Sequence, residues 1–83
     1  MPRFYFDVMD GEGLIDEDGE ELEGLNAARI VAVRLSGELL RDYPDRFWSV
    51  GEWSCTVRDE TGVTLFVLHF HASEAPAVSR PFG

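Results

Sequence analysis

The sequence predicts an α+β domain of order β-β-α-β-β, an antiparallel sheet with one α-helix packed on one face. Three features predict it. The N-terminal segment is aromatic and alternates with period two. One long stretch rich in Ala, Leu and Arg has helical period and runs up to Pro44. Two further alternating segments flank the turn residues Asp59-Glu60-Thr61-Gly62.

From Arg3 to Met9, Phe4, Phe6 and Val8 fall on one side and Arg3, Tyr5 and Asp7 on the other, which is strand periodicity. Asp10-Gly11-Glu12-Gly13 supplies turn chemistry, and the apolar pair Leu14-Ile15 is the expected second strand of a hairpin, closed by a turn from Asp16 to Gly19. The helix is expected from about Leu25 to about Tyr43, with Gly24 as N-cap and Pro44 as the stop. At 100° per residue, Leu25, Ala28, Val31, Ala32, Leu35, Leu39 and Tyr43 form the stripe that covers the sheet. Ile30, Val33, Gly37 and Leu40 lie away from that stripe, among Asn26, Arg29, Arg34 and Arg41. A mid-helix Gly costs about 1 kcal/mol relative to Ala and is best accounted for where another backbone approaches.

After a loop holding Phe47, Trp48 and Val50, strands are expected at Glu52 to Asp59 and Val63 to His71. A four-residue loop sets Cys55 opposite Phe66 and Trp53 opposite Leu68, with Phe66, Leu68 and Phe70 inside and Val67, His69 and His71 outside. A three-residue loop with a Gly bulge reverses that parity. The four-residue reading is preferred because it leaves a mostly polar outer face. Tyr5, Asp7, Thr56, Arg58, Val67 and His69 then populate an open sheet face. Residues 1–83 make a single domain with an ordered core of about 2–71, and 72–83, with Pro76 and Pro81, read as a flexible tail.

Composition narrows function more than it defines it. The formal charge is −9, and all seven positive residues are Arg. Nine of the sixteen acids fall between Asp7 and Glu23 with no basic residue among them. A field of this sign repels phosphate backbones and anionic lipid, so neither a nucleic acid nor a membrane is an expected partner. The single cysteine, Cys55, forms no internal disulfide and fits a reducing, cytoplasmic setting. No stretch approaches the roughly 18 apolar residues of a membrane span.

Candidate chemistry is sparse. The acidic run fails the twelve-residue calcium-loop spacing at every Gly: setting Gly19, Gly13 or Gly11 sixth puts Leu14, Val8 or Phe6 first, where an oxygen ligand is required. Loose cation binding is left to Asp16, Glu17 and Asp18, while His69 and His71 point the same way about 7 Å apart on a strand as a weak metal-ligand pair, with no third ligand evident. Two His and one Cys make no triad, so no catalytic residue and no cofactor are assigned.

The opening Pro-Arg-Phe-Tyr-Phe-Asp-Val with Asp10-Gly11, then Asp16-Glu17 with Gly19, Glu21-Leu22, Ala27-Ala28-Arg29, and Val57-Arg58-Asp59 with Gly62, resembles a family of small bacterial domains of unknown function. That family opens with a Pro-Arg-Tyr/Phe-Tyr-Phe-Asp segment. The likeness spans about residues 2 to 70 and departs at Gly24, where Asp is expected. It implies a bacterial cytoplasmic setting and transfers no site residue. A looser, topological similarity is to small antitoxin domains of the HicB type.

The expectation is therefore a non-enzymatic protein-interaction module that self-associates as a homodimer, through the Ile30, Val33, Gly37 and Leu40 line or the open sheet face. Two alternatives stand beside it: a small-ligand or metal sensor using the acidic hairpin or the His69/His71 pair, and antitoxin-like sequestration of a basic partner protein.

Overall fold

The computed structural model describes residues 1–79 of the chain. Seven elements follow in order: β1 (Arg3–Met9), β2 (Glu20–Glu21), α1 (Leu25–Asp42), α2 (Pro44–Val50), β3 (Glu52–Arg58), β4 (Thr64–His71) and α3 (Pro76–Ser79). The strands form one antiparallel sheet of spatial order β2-β1-β3-β4. The α+β class and the β-β-α-β-β order of its main elements agree with the sequence reading.

The inner side chains of β1 and β3, Phe4, Phe6, Val8, Trp53, Cys55 and Val57, are all buried. Each contributes on the order of 1.5–3 kcal/mol when fully removed from water. Helix α1 lies over this pair of strands through Ala28 and Ala32, both fully buried, and Ser36, also buried. Three small residues spaced by four allow the helix backbone to approach the sheet closely. Ser36 was not in the predicted stripe, and the stripe's two ends, Leu25 and Tyr43, are exposed. Gly24 is extended at φ 178° and caps α1 with no side-chain hydrogen bond, because glycine carries no side-chain acceptor.

Four local expectations need correction. The second strand of the hairpin is Glu20–Glu21, opposite Arg3 and Phe4, while Leu14 makes only an isolated bridge to Val8 and Leu14 and Ile15 are exposed. The segment with Phe47, Trp48 and Val50 is helix rather than loop. Pro44 ends α1 but opens α2 at its first turn, where a missing N–H costs nothing, and Gly51 stops α2 at φ 81°. Phe47 thereby meets Trp53 edge to face, centroids 5.5 Å apart. In the last hairpin Cys55 opposes Leu68 and Trp53 opposes Phe70, two residues beyond the expected register. Five residues, Asp59 to Val63, separate the paired Arg58 and Thr64, and Leu65 is an extra residue at a β-bulge. A shift of two preserves parity, so Phe66, Leu68 and Phe70 face inward as expected. Finally, a turn of helix, α3, interrupts the expected tail; its last part, residues 80–83, lies outside the described residues.

Candidate interaction surface

The polar centre of the molecule is on the open face of the sheet, where β1 and β3 pair Tyr5 with Arg58 and Asp7 with Thr56. Arg58 lies across its partner's ring, with the guanidinium carbon 4.6 Å from the Tyr5 centroid. It reaches diagonally to Asp7 with two bonds, Nε to Oδ2 at 2.7 Å and Nη2 to Oδ1 at 3.3 Å. Nη2 also donates to the Asp16 carbonyl at 2.8 Å. The backbone N–H of Asp16 donates to Asp7 Oδ1 at 2.9 Å, so the loop between β1 and β2 is tied to the sheet by the same two side chains.

Asp16 then completes the edge of β1. Its Oδ2 accepts from the Phe6 N–H at 3.1 Å, and its Oδ1 accepts from the N–H groups of Asp18 and Gly19 at 3.1 and 3.0 Å. Burial pushes this carboxyl up, but the bonds from Gly19, Phe6 and Asp18 and the Arg58 charge outweigh it and hold it below the ordinary range. The carboxylate is thus committed to the fold. The sequence places Asp16 in a turn without assigning it a role; the signal that identifies its role is the spacing Asp16-Glu17-Asp18-Gly19, repeated in Asp59-Glu60-Thr61-Gly62. In both, the Asp Oδ1 accepts from the N–H two residues on and the Gly adopts positive φ.

The other polar candidates are kept apart. His69 and His71 are exposed on the outer face, opposite Ser54 and Glu52. Among the described residues, no three His, Cys, Asp or Glu side chains are grouped to hold a metal. Cys55 is buried on the inner face, where burial raises its thiol pKa further than the Ser36 hydrogen bond lowers it. The sheet itself separates the thiol from both imidazoles. An open groove of about 370 Å³ runs between α1 and the β1–β2 loop, with Leu35 and Leu39 on one wall and Leu14 and Ile15 on the other. No helix among the described residues is long and apolar enough to cross a membrane.

Two further apolar surfaces lie on α1 and on β4. On α1, Ile30 and Val33 are exposed and form a groove flanked by Arg29 and Arg34, whereas Leu40 is half-buried rather than outward. A Cβ on Gly37 would meet nothing within 4 Å, so among the described residues no backbone of another element approaches there. The second surface is β4. None of its three inward residues is buried, unlike all six on β1 and β3; Phe66, Leu68 and Phe70 are half-buried, and Val63, Leu65 and Val67 are exposed.

The chain belongs to the family described as Domain of unknown function (DUF6894), whose model matches residues 3–71. The match spans β1 to β4 and includes Asp7, Asp16, Gly19 and Arg58. Comparison with curated proteins and with solved structures gives no match.

Proposed function

We propose that this domain is a non-enzymatic protein-interaction module that self-associates. The observation that carries the reading is the uneven burial of the inner sheet face: α1 and α2 cover β1 and β3, while Phe66, Leu68 and Phe70 of β4 stay half-buried. Apolar surface left partly in water at one end of a small core is the free energy available to association. The side chains with chemical capacity support the non-enzymatic part. Asp7 and Asp16 are bonded to Arg58 and to backbone N–H groups, and the buried thiol of Cys55 lies across the sheet from His69 and His71.

Size-exclusion chromatography with light scattering over a micromolar concentration series tests the reading. The expected mass is twice the 9.3 kDa of one chain. A mass of one chain at every concentration contradicts it.

A further inference from the structure

We infer that the partner is a second copy of this chain, joined along the free edge of β4 so that the two sheets become one antiparallel sheet about a two-fold axis at Leu68. The inference rests on the self-association reading and names the surface and the register that reading leaves open.

The two edges of the sheet are built differently. At the β2 edge the strand is two residues long and both are Glu, Leu14 bridges Val8, and the Asp16 carboxylate occupies the Phe6 N–H. Short strands, charge and a covering loop are the devices that prevent edge pairing. β4 has eight residues and, among the described residues, β3 as its one strand partner. Thr64–His71 contains no Asp, Glu, Arg or Pro, and its bulge lies at one end, at Leu65. A regular run from Phe66 to His71, free of Asp, Glu, Lys and Arg, is left open to pair.

Charge selects the occupant. In a chain of charge −9, contact between two copies is opposed by repulsion wherever the acids face one another. The acids from Asp7 to Glu23 belong to β1, β2, the loop between them and the link from β2 to α1, whereas β4 is at the far edge. Pairing through β4 therefore places the two acidic loops at opposite ends of the dimer. The α1 groove is the poorer alternative, because an isologous contact there sets Arg29 and Arg34 against their own copies.

Register follows from the pleat. A two-fold axis perpendicular to the sheet keeps inner side chains on the inner face, so one residue must oppose its own copy. Leu68 opposite Leu68 of the second copy sets Phe66 against Phe70 twice on the inner face and Val67 against His69 twice on the outer face. All three half-buried inner residues then gain cross-strand apolar partners.

The test measures mass by light scattering on the full chain, with circular dichroism melts confirming that each variant is folded. Val67→Lys with His69→Lys, both at exposed positions, places like charges opposite one another and is expected to give the mass of one chain where wild type is dimeric. Val33→Glu and Gly37→Leu are expected to leave the dimer intact. A dimer that survives the two lysines but is lost with Val33→Glu or Gly37→Leu overturns the β4 inference and leaves self-association standing. A wild type that is monomeric throughout overturns both. A cross-linking arm reads the register directly even if the lysine variant fails to fold. In a Cys55→Ala background, which removes the thiol directly opposite position 68 on β3, Leu68→Cys is expected to form a covalent dimer under mild oxidation with diamide and Val67→Cys is not, and the reverse result overturns the register.

Discussion

The Asp16 carboxylate occupies the place of a strand: its Oδ2 accepts the Phe6 N–H at 3.1 Å, between the backbone pairing of Phe4 with Glu20 and the bridge of Val8 to Leu14. One side chain thereby holds a loop against a sheet edge that β2 is too short to cover. Asp16→Ala leaves the partly buried Phe6 donor without its acceptor and is expected to cost about 1–3 kcal/mol. Asp16→Asn, which keeps one carbonyl oxygen, is expected to cost less. Urea unfolding midpoints of the two variants check the order.

Two glycines make opposite predictions. Gly19 has φ 71°, and a Cβ there would fall 2.8 Å from Tyr5 and 3.0 Å from the Phe4 carbonyl oxygen, which belongs to the sheet backbone and cannot swing away. Gly19→Ala is therefore expected to destabilise by more than about 1 kcal/mol. Gly37 is helical with open space around it, so Gly37→Ala is expected to stabilise by up to about 1 kcal/mol. Thermal melts of the two variants, compared with wild type, separate these cases.

Arg58 and Asp7 are expected to couple strongly. The guanidinium makes two bonds to Asp7 and stacks on Tyr5, a combination a lysine ammonium cannot reproduce. In a double-mutant cycle of Arg58→Lys and Asp7→Asn, the coupling is expected at about 1.5–3 kcal/mol, the range for hydrogen bonds to charged groups. Additive effects within about 0.3 kcal/mol would show that the bonds contribute nothing net.

Acid is expected to weaken the fold through two of its turns. The Asp59 carboxyl is held below its ordinary value of 3.8 by the Thr61 hydroxyl and then by N–H groups of Val63, Thr61 and Gly62, against a small opposing effect of burial. Asp16 is lowered as well. Because both folded values lie below the unfolded one, their stabilisation is complete above the unfolded value and is lost as pH falls through the folded values. Urea midpoints are expected to fall on acidification below about pH 4. Asp16→Asn is expected to make that fall shallower.

Strong local periodicity made most of the fold legible. The alternation of Phe4, Phe6 and Val8 and of Trp53, Cys55 and Val57 set two strands and their buried faces, and the Ala28 and Ala32 stripe set the helix. What eluded the sequence depended on side chains acting over distance or on two-sided signals. Leu14-Ile15 looks like a strand because it is apolar, yet the chain pairs Glu20–Glu21 there, since Asp16 anchors the loop in front of them. Pro44 reads equally as a helix stop and a helix start, and here it is both. Ser36, polar in sequence, is buried beside Cys55, with which it hydrogen-bonds. The β4 edge was invisible for a different reason: strand order, which no periodicity encodes, decides which strand is left unpaired.

Hydrogen–deuterium exchange of the β4 segment as a function of protein concentration tests the self-association account most directly. Pairing along the free edge is expected to slow exchange from Leu65 to His71 as the concentration rises into the dimeric range, with α1 exchanging at an unchanged rate. Equal exchange of that segment in monomer and dimer would contradict the account.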